Sequence, residues 1–129
     1  TGTINTSDVR LKESVNMLKY GLSEVMRLRP VSFLWKDKVD QKINLGFIAQ
    51  EVERITPEVV DVPKNDNEFY GLNYSQLVPV LVKAIQEQQS QIEDLKLKND
   101  DLQKRLENVE SFIQRRYQLT TGAFSKAEK

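Results

Sequence analysis

With 129 residues the chain has room for one compact domain, or for a small head plus an extended element. Lys+Arg and Asp+Glu number 19 each, so a net charge of zero gives no electrostatic reason to expect nucleic acid or an anionic membrane as partner. The absence of cysteine excludes disulfides and thiolate zinc sites, and the absence of histidine excludes Ser-His and Cys-His catalysis and His metal ligands. Any catalytic base must therefore be Lys, Asp, Glu or Tyr. No metal or other cofactor is expected, and no phosphate loop, metal cluster or paired acid site suggests a multi-turnover enzyme. No apolar run approaches the roughly 20 residues that span a bilayer. Thr1 to Thr6 lack the pattern of a signal peptide, and the missing initial Met suggests a piece of a longer protein.

In chain order, Leu22, Val25, Met26 and Leu28 follow helical spacing, and Pro30 closes that helix. Val31 to Trp35 begins with apolar–polar alternation and reads as a strand. Asp37 to Asn44 is a polar turn, and Leu45 to Ile48 a second short apolar run. Ala49 to Ile55 reads as a helix with Val52 and Ile55 inward, stopped by Pro57. Val59 to Val62 is a third strand, ended by Pro63. Lys64 to Asn67 is a strong turn signal, and Phe69 to Leu72 completes a hairpin. These residues make a small α+β head of about 70 residues, marginal alone at that size, so contacts between chains are expected to help it.

A different period takes over near Asn73. Leu81, Gln88, Leu95, Leu102 and Val109 recur every seven residues, as do Ile85, Ile92, Asn99, Leu106 and Ile113. The two series interleave as d and a positions of a heptad. The stretch from about Ser75 to Gln118 predicts a helix of roughly 65 Å. Its narrow apolar seam cannot be buried against itself, and identical chains are the simplest partners. The charged residues between, among them Glu87, Asp94, Lys98 and Arg105, read as a solvated outer face. Polar Gln88 and Asn99 either fix register and strand number or are tolerated in a weak coil. Ile at a with Leu at d leans towards a parallel dimer. Pro79 falls in the first turn or so, where a missing N–H is tolerated, and Asn73 or Ser75 could cap the helix. Beyond Gln118 the period is lost and a flexible tail is expected. The fold class is thus α+β, mainly helical: a small head followed by a long C-terminal coiled-coil helix.

Four motifs then stand in order. Ser7-Asp8-Val9-Arg10-Leu11-Lys12 opens the chain. Leu28-Arg29-Pro30-Val31-Ser32-Phe33 precedes Trp35-Lys36. Gly46-Phe47-Ile48-Ala49-Gln50-Glu51-Val52 is backed by Pro57-Glu58-Val59-Val60. Leu72-Asn73-Tyr74-Ser75-Gln76-Leu77 runs through Val78-Pro79-Val80-Leu81 into the coil. Together they resemble the chaperone domain at the C-terminus of endosialidases and other phage tail proteins, from Ser7 to about Leu102. The resemblance implies a homotrimeric intramolecular chaperone that assists an upstream tail fibre or spike of the same polypeptide and then releases itself by autoproteolysis. It implies a cut between Thr6 and Ser7, with Ser7 as nucleophile and Lys12 as base. Residues 1–6 would be an upstream remnant, 7–73 the head, 74–118 the trimerisation helix and 119–129 the tail. The work would be done in the host cytoplasm during phage assembly, with the upstream product in the virion tail. The implied trimer differs from the dimer that the heptads favour.

The chemistry constrains this reading. A serine hydroxyl needs a base, and lysine serves only when its amine is neutral, which means lowering a usual value of about 10.4 by burial or a nearby cation. Arg10 is a candidate cation. Asp8 would hold Lys12 charged, unless it positions the backbone or pairs with Arg10. Residues five apart on a regular helix are about 140° apart, so the dyad needs an irregular or extended segment, or a contact between chains. The competing reading has Ser7 or Asp8 capping a short helix and Lys12 as a surface charge. Gly46 is expected to permit close backbone packing, and Trp35 to lie in the core or an interface. Gln50 and Glu51 are expected to serve packing, a subunit contact or the catalytic centre. The chief alternative function is a trimerisation cap that does not cut. A coiled-coil adaptor of unrelated function would leave the ordered head motifs without a role.

Overall fold

The apolar runs of the head are short, and the elements built from them are short too. The computed structural model describes residues 4–36, 39 and 42–127, and the chain divides into two compact units, Thr1–Glu87 and Gln88–Lys129.

In the first unit, α1 (Leu22–Val25) opens where the Glu24 carboxylate reaches back to the Gly21 N–H at 2.8 Å. The helix ends after one turn, and Leu28 packs on the core instead of extending it. Strand β1 (Val31–Phe33) pairs antiparallel with β2 (Asn44–Gly46), with Val31 opposite Gly46 and Phe33 opposite Asn44. Helix α2 (Ala49–Glu53) buries Val52, and the following turn returns the Thr56 N–H to the Val52 carbonyl at 2.8 Å. Pro57 starts a 3-10 turn, Pro57–Val59, where its missing N–H costs nothing. Strand β3 (Val60–Asp61) pairs antiparallel with β4 (Gly71–Leu72). Their loop is closed by Glu68, whose carboxylate accepts from the Lys64 N–H at 2.9 Å and the Asn65 amide at 2.8 Å. A second 3-10 turn, Tyr74–Gln76, leads into α3 (Leu77–Ala127), 51 residues long.

The head does not supply its own interior. Val52 and Val59 form its centre together with Leu77, and Leu28, Phe47, Val60 and Leu72 pack around them. Val80 and Ala84, one and two turns further along α3, are buried as well. Leu77, Val80 and Ala84 form one i, i+3, i+7 stripe facing the head. A core this small explains why α3 begins where it does: without its first turns, Val52 and Val59 would face water.

Several expectations change. The first strand stops at Phe33, and Trp35 is 53% exposed, its ring set edge-on to Phe33 with centroids 5.1 Å apart. Trp35 is therefore not a core residue. The turn expected over Asp37 to Asn44 lies partly outside the described residues, and Asn44 is already strand. Neither Asn73 nor Ser75 caps the backbone. The Ser75 hydroxyl instead donates to Asn73 Oδ1 at 2.7 Å.

In the second unit, the helix persists through Ala127, although the heptads end near Gln118. Hydroxyls in the segment expected to be a flexible tail bond back along the helix. Thr120 and Thr121 donate to the Tyr117 carbonyl at 2.8 and 3.0 Å, and Ser125 to the Gly122 carbonyl at 3.3 Å. Gly122 costs about 1 kcal/mol relative to alanine but does not stop a helix. Leu95, Leu102, Leu106, Val109 and Ile113 are all more than half exposed in the single chain. Among the described residues, no helix is long and apolar enough to cross a membrane.

Gly46 has a specific reason to be glycine. The Tyr74 hydroxyl occupies the place where a Cβ would stand, while accepting the Phe47 N–H at 3.1 Å. The Phe47 and Tyr74 rings stack alongside, centroids 6.1 Å apart. Gly46→Ala is expected to destabilise the head by about 1–3 kcal/mol, and Tyr74→Phe by about 1 kcal/mol. Combined, the two should cost less than their sum in denaturant titration, because the hydroxyl that excludes the methyl is gone. Strict additivity would show that something else excludes it.

Candidate functional site

The segment ahead of α1 contains one tight turn. Asp8 initiates a 3-10 turn over Val9–Leu11 by accepting the Arg10 N–H on Oδ1 at 2.9 Å. The Leu11 and Lys12 N–H groups close the turn onto the Asp8 and Val9 carbonyls at 3.1 Å. Arg10 then folds its guanidinium back on the same carboxylate, Nε at 3.0 and 3.1 Å and Nη2 at 2.7 Å. The backbone is extended at Asp8 (φ −69°, ψ 134°) and again at Lys12 (φ −116°, ψ 142°). The chain therefore enters and leaves the turn extended, and residues 7 and 12 flank it. Across this opening Lys12 Nζ donates to Ser7 Oγ at 2.7 Å. A regular helix would have kept the two apart; one 3-10 turn between extended residues brings them together.

The electrostatics follow from the same turn. Asp8 is occupied by Arg10, and that hydrogen bond, helped by the Arg10 N–H, holds its carboxyl below the ordinary value. The carboxylate in turn raises the Arg10 guanidinium. The hydrogen bonds of Asp8 thus go to Arg10, while Lys12 Nζ turns to the serine. Ser7, Arg10 and Lys12 are exposed, as are Thr6 before them and the apolar Val9 and Leu11 between them. The turn is a surface feature of the single chain.

Downstream, Lys12 to Tyr20 runs without regular structure. Ser14 adopts a left-handed conformation, φ 52°, and its carbonyl accepts from the Asn16 amide at 2.8 Å. Among the described residues, the first long-range hydrogen bond is to the Leu18 carbonyl, which accepts from Lys83 Nζ on α3. Tyr20 donates to both Glu58 oxygens at 2.9 and 2.7 Å, and Lys19 pairs with Glu58 at 3.1 Å. The tyrosine bond, first among these influences, holds the Glu58 carboxyl below its ordinary value. Finally, Glu87 accepts the Leu22 N–H at 2.8 Å, with its carboxylate where a Cβ of Gly21 would lie.

Two of the sequence motifs meet directly. Arg29 donates Nε to Glu51 Oε2 at 3.0 Å and Nη2 to Oε1, which holds the Glu51 carboxyl low. Glu51 thus ties α2 to the segment before β1, while Gln50 is exposed. Sequence reasoning passed over Tyr20, Glu58 and Lys83, and read Glu87 as a solvated charge. The only advance sign was the Lys83–Glu87 spacing of four, which marks an ion pair but not its third partner. Val78, in phase with Ile85, is 55% exposed and continues the seam by one position that the neighbouring Pro79 obscured.

The Asp8–Arg10 pair makes the turn sensitive to pH. Because the folded carboxyl titrates below its unfolded value of about 3.9, the pair contributes fully above that value and is lost as pH falls through the lower, folded one. The Arg10 Nε–H NMR signal should therefore be constant down to about pH 4 and shift only below it. In Asp8→Asn the signal should stay flat. A midpoint above pH 4 would contradict the pairing.

Comparison with known proteins places the turn at the start of a recognised segment. A family model described as chaperone of endosialidase matches residues 7–61. No curated protein matches the chain.

Proposed function

The chain carries a segment of the endosialidase-chaperone family over residues 7–61, and from that premise we propose that it is a self-releasing intramolecular chaperone. In this reading three chains associate through the α3 seam and assist the folding of an upstream tail-fibre or spike segment in the host cytoplasm. The domain then cuts itself off between Thr6 and Ser7. The observation that carries the reading is the 2.7 Å contact between Lys12 Nζ and Ser7 Oγ.

The seam supports association by what it leaves open. Leu81, Ile85, Ile92, Leu95, Leu102, Leu106, Val109 and Ile113 are exposed along one heptad face, with Gln88 and Asn99 as its polar members. Burying one such side chain gains about 1.5–3 kcal/mol. Asn99 at an a position favours one register over its neighbours. Three aligned helices hold three upstream segments close, which raises their effective concentration and lowers the entropy cost of pairing them.

The cut is written as an acyl transfer. Lys12 Nζ donates to Ser7 Oγ in the resting contact, so the reaction uses the same contact with the proton moving the other way. With Lys12 neutral, Oγ attacks the Thr6 carbonyl carbon and its proton passes to Nζ. The tetrahedral species collapses by breaking the Thr6–Ser7 C–N bond, and the departing amine takes the proton from Lys12. An ester joins the Thr6 carbonyl to Ser7 Oγ. Water hydrolyses it, leaving a Thr6 carboxylate and a Ser7 with free amine and hydroxyl. The sequence of steps consumes one water and occurs once per chain. Asp8 and Arg10 hold the turn through their mutual pairing.

Intact mass of the N-terminally tagged chain tests the cut. The parent should lose everything through Thr6, while Ser7→Ala and Lys12→Ala stay whole. Lys12→Arg should also stay whole, because a guanidinium does not give up its proton at these pH values. A parent that forms folded oligomers yet remains uncut for days would turn the reading into a permanent trimerisation cap. Light scattering tests the seam: the parent should have the mass of three chains, and Leu95→Asp that of one. A parent mass of two would correct the strand number, and a monomeric parent at micromolar concentration would remove the coil from the mechanism.

A further inference from the structure

The Lys83–Glu87 pair is the point where the long helix grips the strap that carries Ser7 and Lys12. Lys83 donates to the Leu18 carbonyl, Glu87 accepts the Leu22 N–H at 2.8 Å, and the two side chains approach each other at 3.6 Å. Gly21, between the gripped groups, is buried and has no space for a Cβ because the Glu87 carboxylate fills it. A side chain there would push the grip open. Among the described residues, the hydrogen bond of the strap between Lys12 and Leu18 is the local one from the Asn16 amide to the Ser14 carbonyl. Leu18 is thus the first anchor on the long helix after the dyad. Six residues extended reach about 20 Å at most, so the anchor limits where the turn can go.

We propose that Lys83 and Glu87 are positioning residues that latch the cleavage strap to α3, so that the Ser7–Lys12 turn is placed only once the helix has formed. Two positions four apart face the same side only in a helix. In an unformed segment Lys83 and Glu87 cannot grip Leu18 and Leu22 together. The seam is left free, because Lys83 and Glu87 fall at f and c of the heptad in which Leu81 is d and Ile85 is a. One stretch of helix can therefore bind its own strap on one side and other chains on another. The latch rests on the proposed cut only for its consequence, not for its existence.

The test is the charge-swapped double variant Lys83→Glu/Glu87→Lys in the tagged full chain. It keeps the net charge and an i, i+4 ion pair on the helix. The lysine at 87 cannot accept an N–H and the glutamate at 83 cannot donate to a carbonyl. Helical content by circular dichroism and oligomer mass should match the parent. Amide exchange at Leu22 should quicken by about tenfold, as for the loss of one charge-assisted hydrogen bond. The cut should slow by a similar factor. Glu87→Gln, whose amide oxygen still accepts the Leu22 N–H, should recover most of both. Parent-like exchange at Leu22 in the swapped chain would overturn the latch, whether or not the parent cuts. Faster exchange with an unchanged rate of cutting would overturn its positioning role. If the swapped chain does not fold, Glu87→Ala read by the same exchange takes its place. If the parent never cuts, the proposed release fails, and Leu22 exchange alone decides the latch.

Discussion

Leu77, from the first turn of α3, is buried against Val52 and Val59 of the head, and Val80 and Ala84 of the next turns are buried too. The head depends on this loan. Its strands are two or three residues long, its other helices four and five, and none could enclose a core without a long rigid element laid against them. The same requirement fixes the hairpin β3–β4, which delivers the chain to α3. It also explains the stacking of Phe47 on Tyr74, which pins the β2–α2 corner to the 3-10 turn before α3. A helix that completes the head on one face cannot use that face for association. The apolar positions of the heptads must lie elsewhere around its axis, and they do.

The turn at Ser7 solves a different problem by local means. Its hydrogen bonds run between residues eight to twelve, with the Ser7–Lys12 contact across its mouth. Charge-assisted bonds between Asp8 and Arg10 give a short exposed segment more definition than neutral ones would. The apolar Val9 and Leu11 beside it remain exposed in the single chain.

The heptads were legible in the sequence because a period of seven repeats often enough to stand out over any one exception. The helix end was not, because the period stops near Gln118 while Thr120, Thr121 and Ser125 carry the helix on with hydroxyls bonded inside it. The hairpin was legible from Lys64 to Asn67, since turn residues act locally, though its strands are shorter than the apolar runs suggest. The spacing of Ser7 and Lys12 showed that a regular helix could not join them. The competing expectation of Asp8 capping a short helix matches the 3-10 turn that Asp8 starts, and the Lys12–Ser7 contact spans that turn. What stayed hidden was long-range. Glu87 reads as one more surface charge because its partner Leu22 lies 65 residues away. The need for glycine at 46 is set by a phenol 27 residues beyond the amide it accepts. Of the two places expected for Trp35, the core of the single chain is ruled out, because the segment after Phe33 leaves the sheet at once.

The matched family segment ends at Asp61, inside β3, but the folded unit does not end there. Its hairpin partner, its lid of leucine and valine, and the grip on Gly21 all arrive later, the last of them at Glu87. A recombination junction at residue 61 would leave half a hairpin on either side of the crossover. A junction after Glu87 would pass the head on whole. Such a junction also inherits a fixed phase: Val78, Leu81 and Ile85 already set the angle of the seam within the head's own turns. A helix joined behind it keeps that phase only if whole heptads are added or removed.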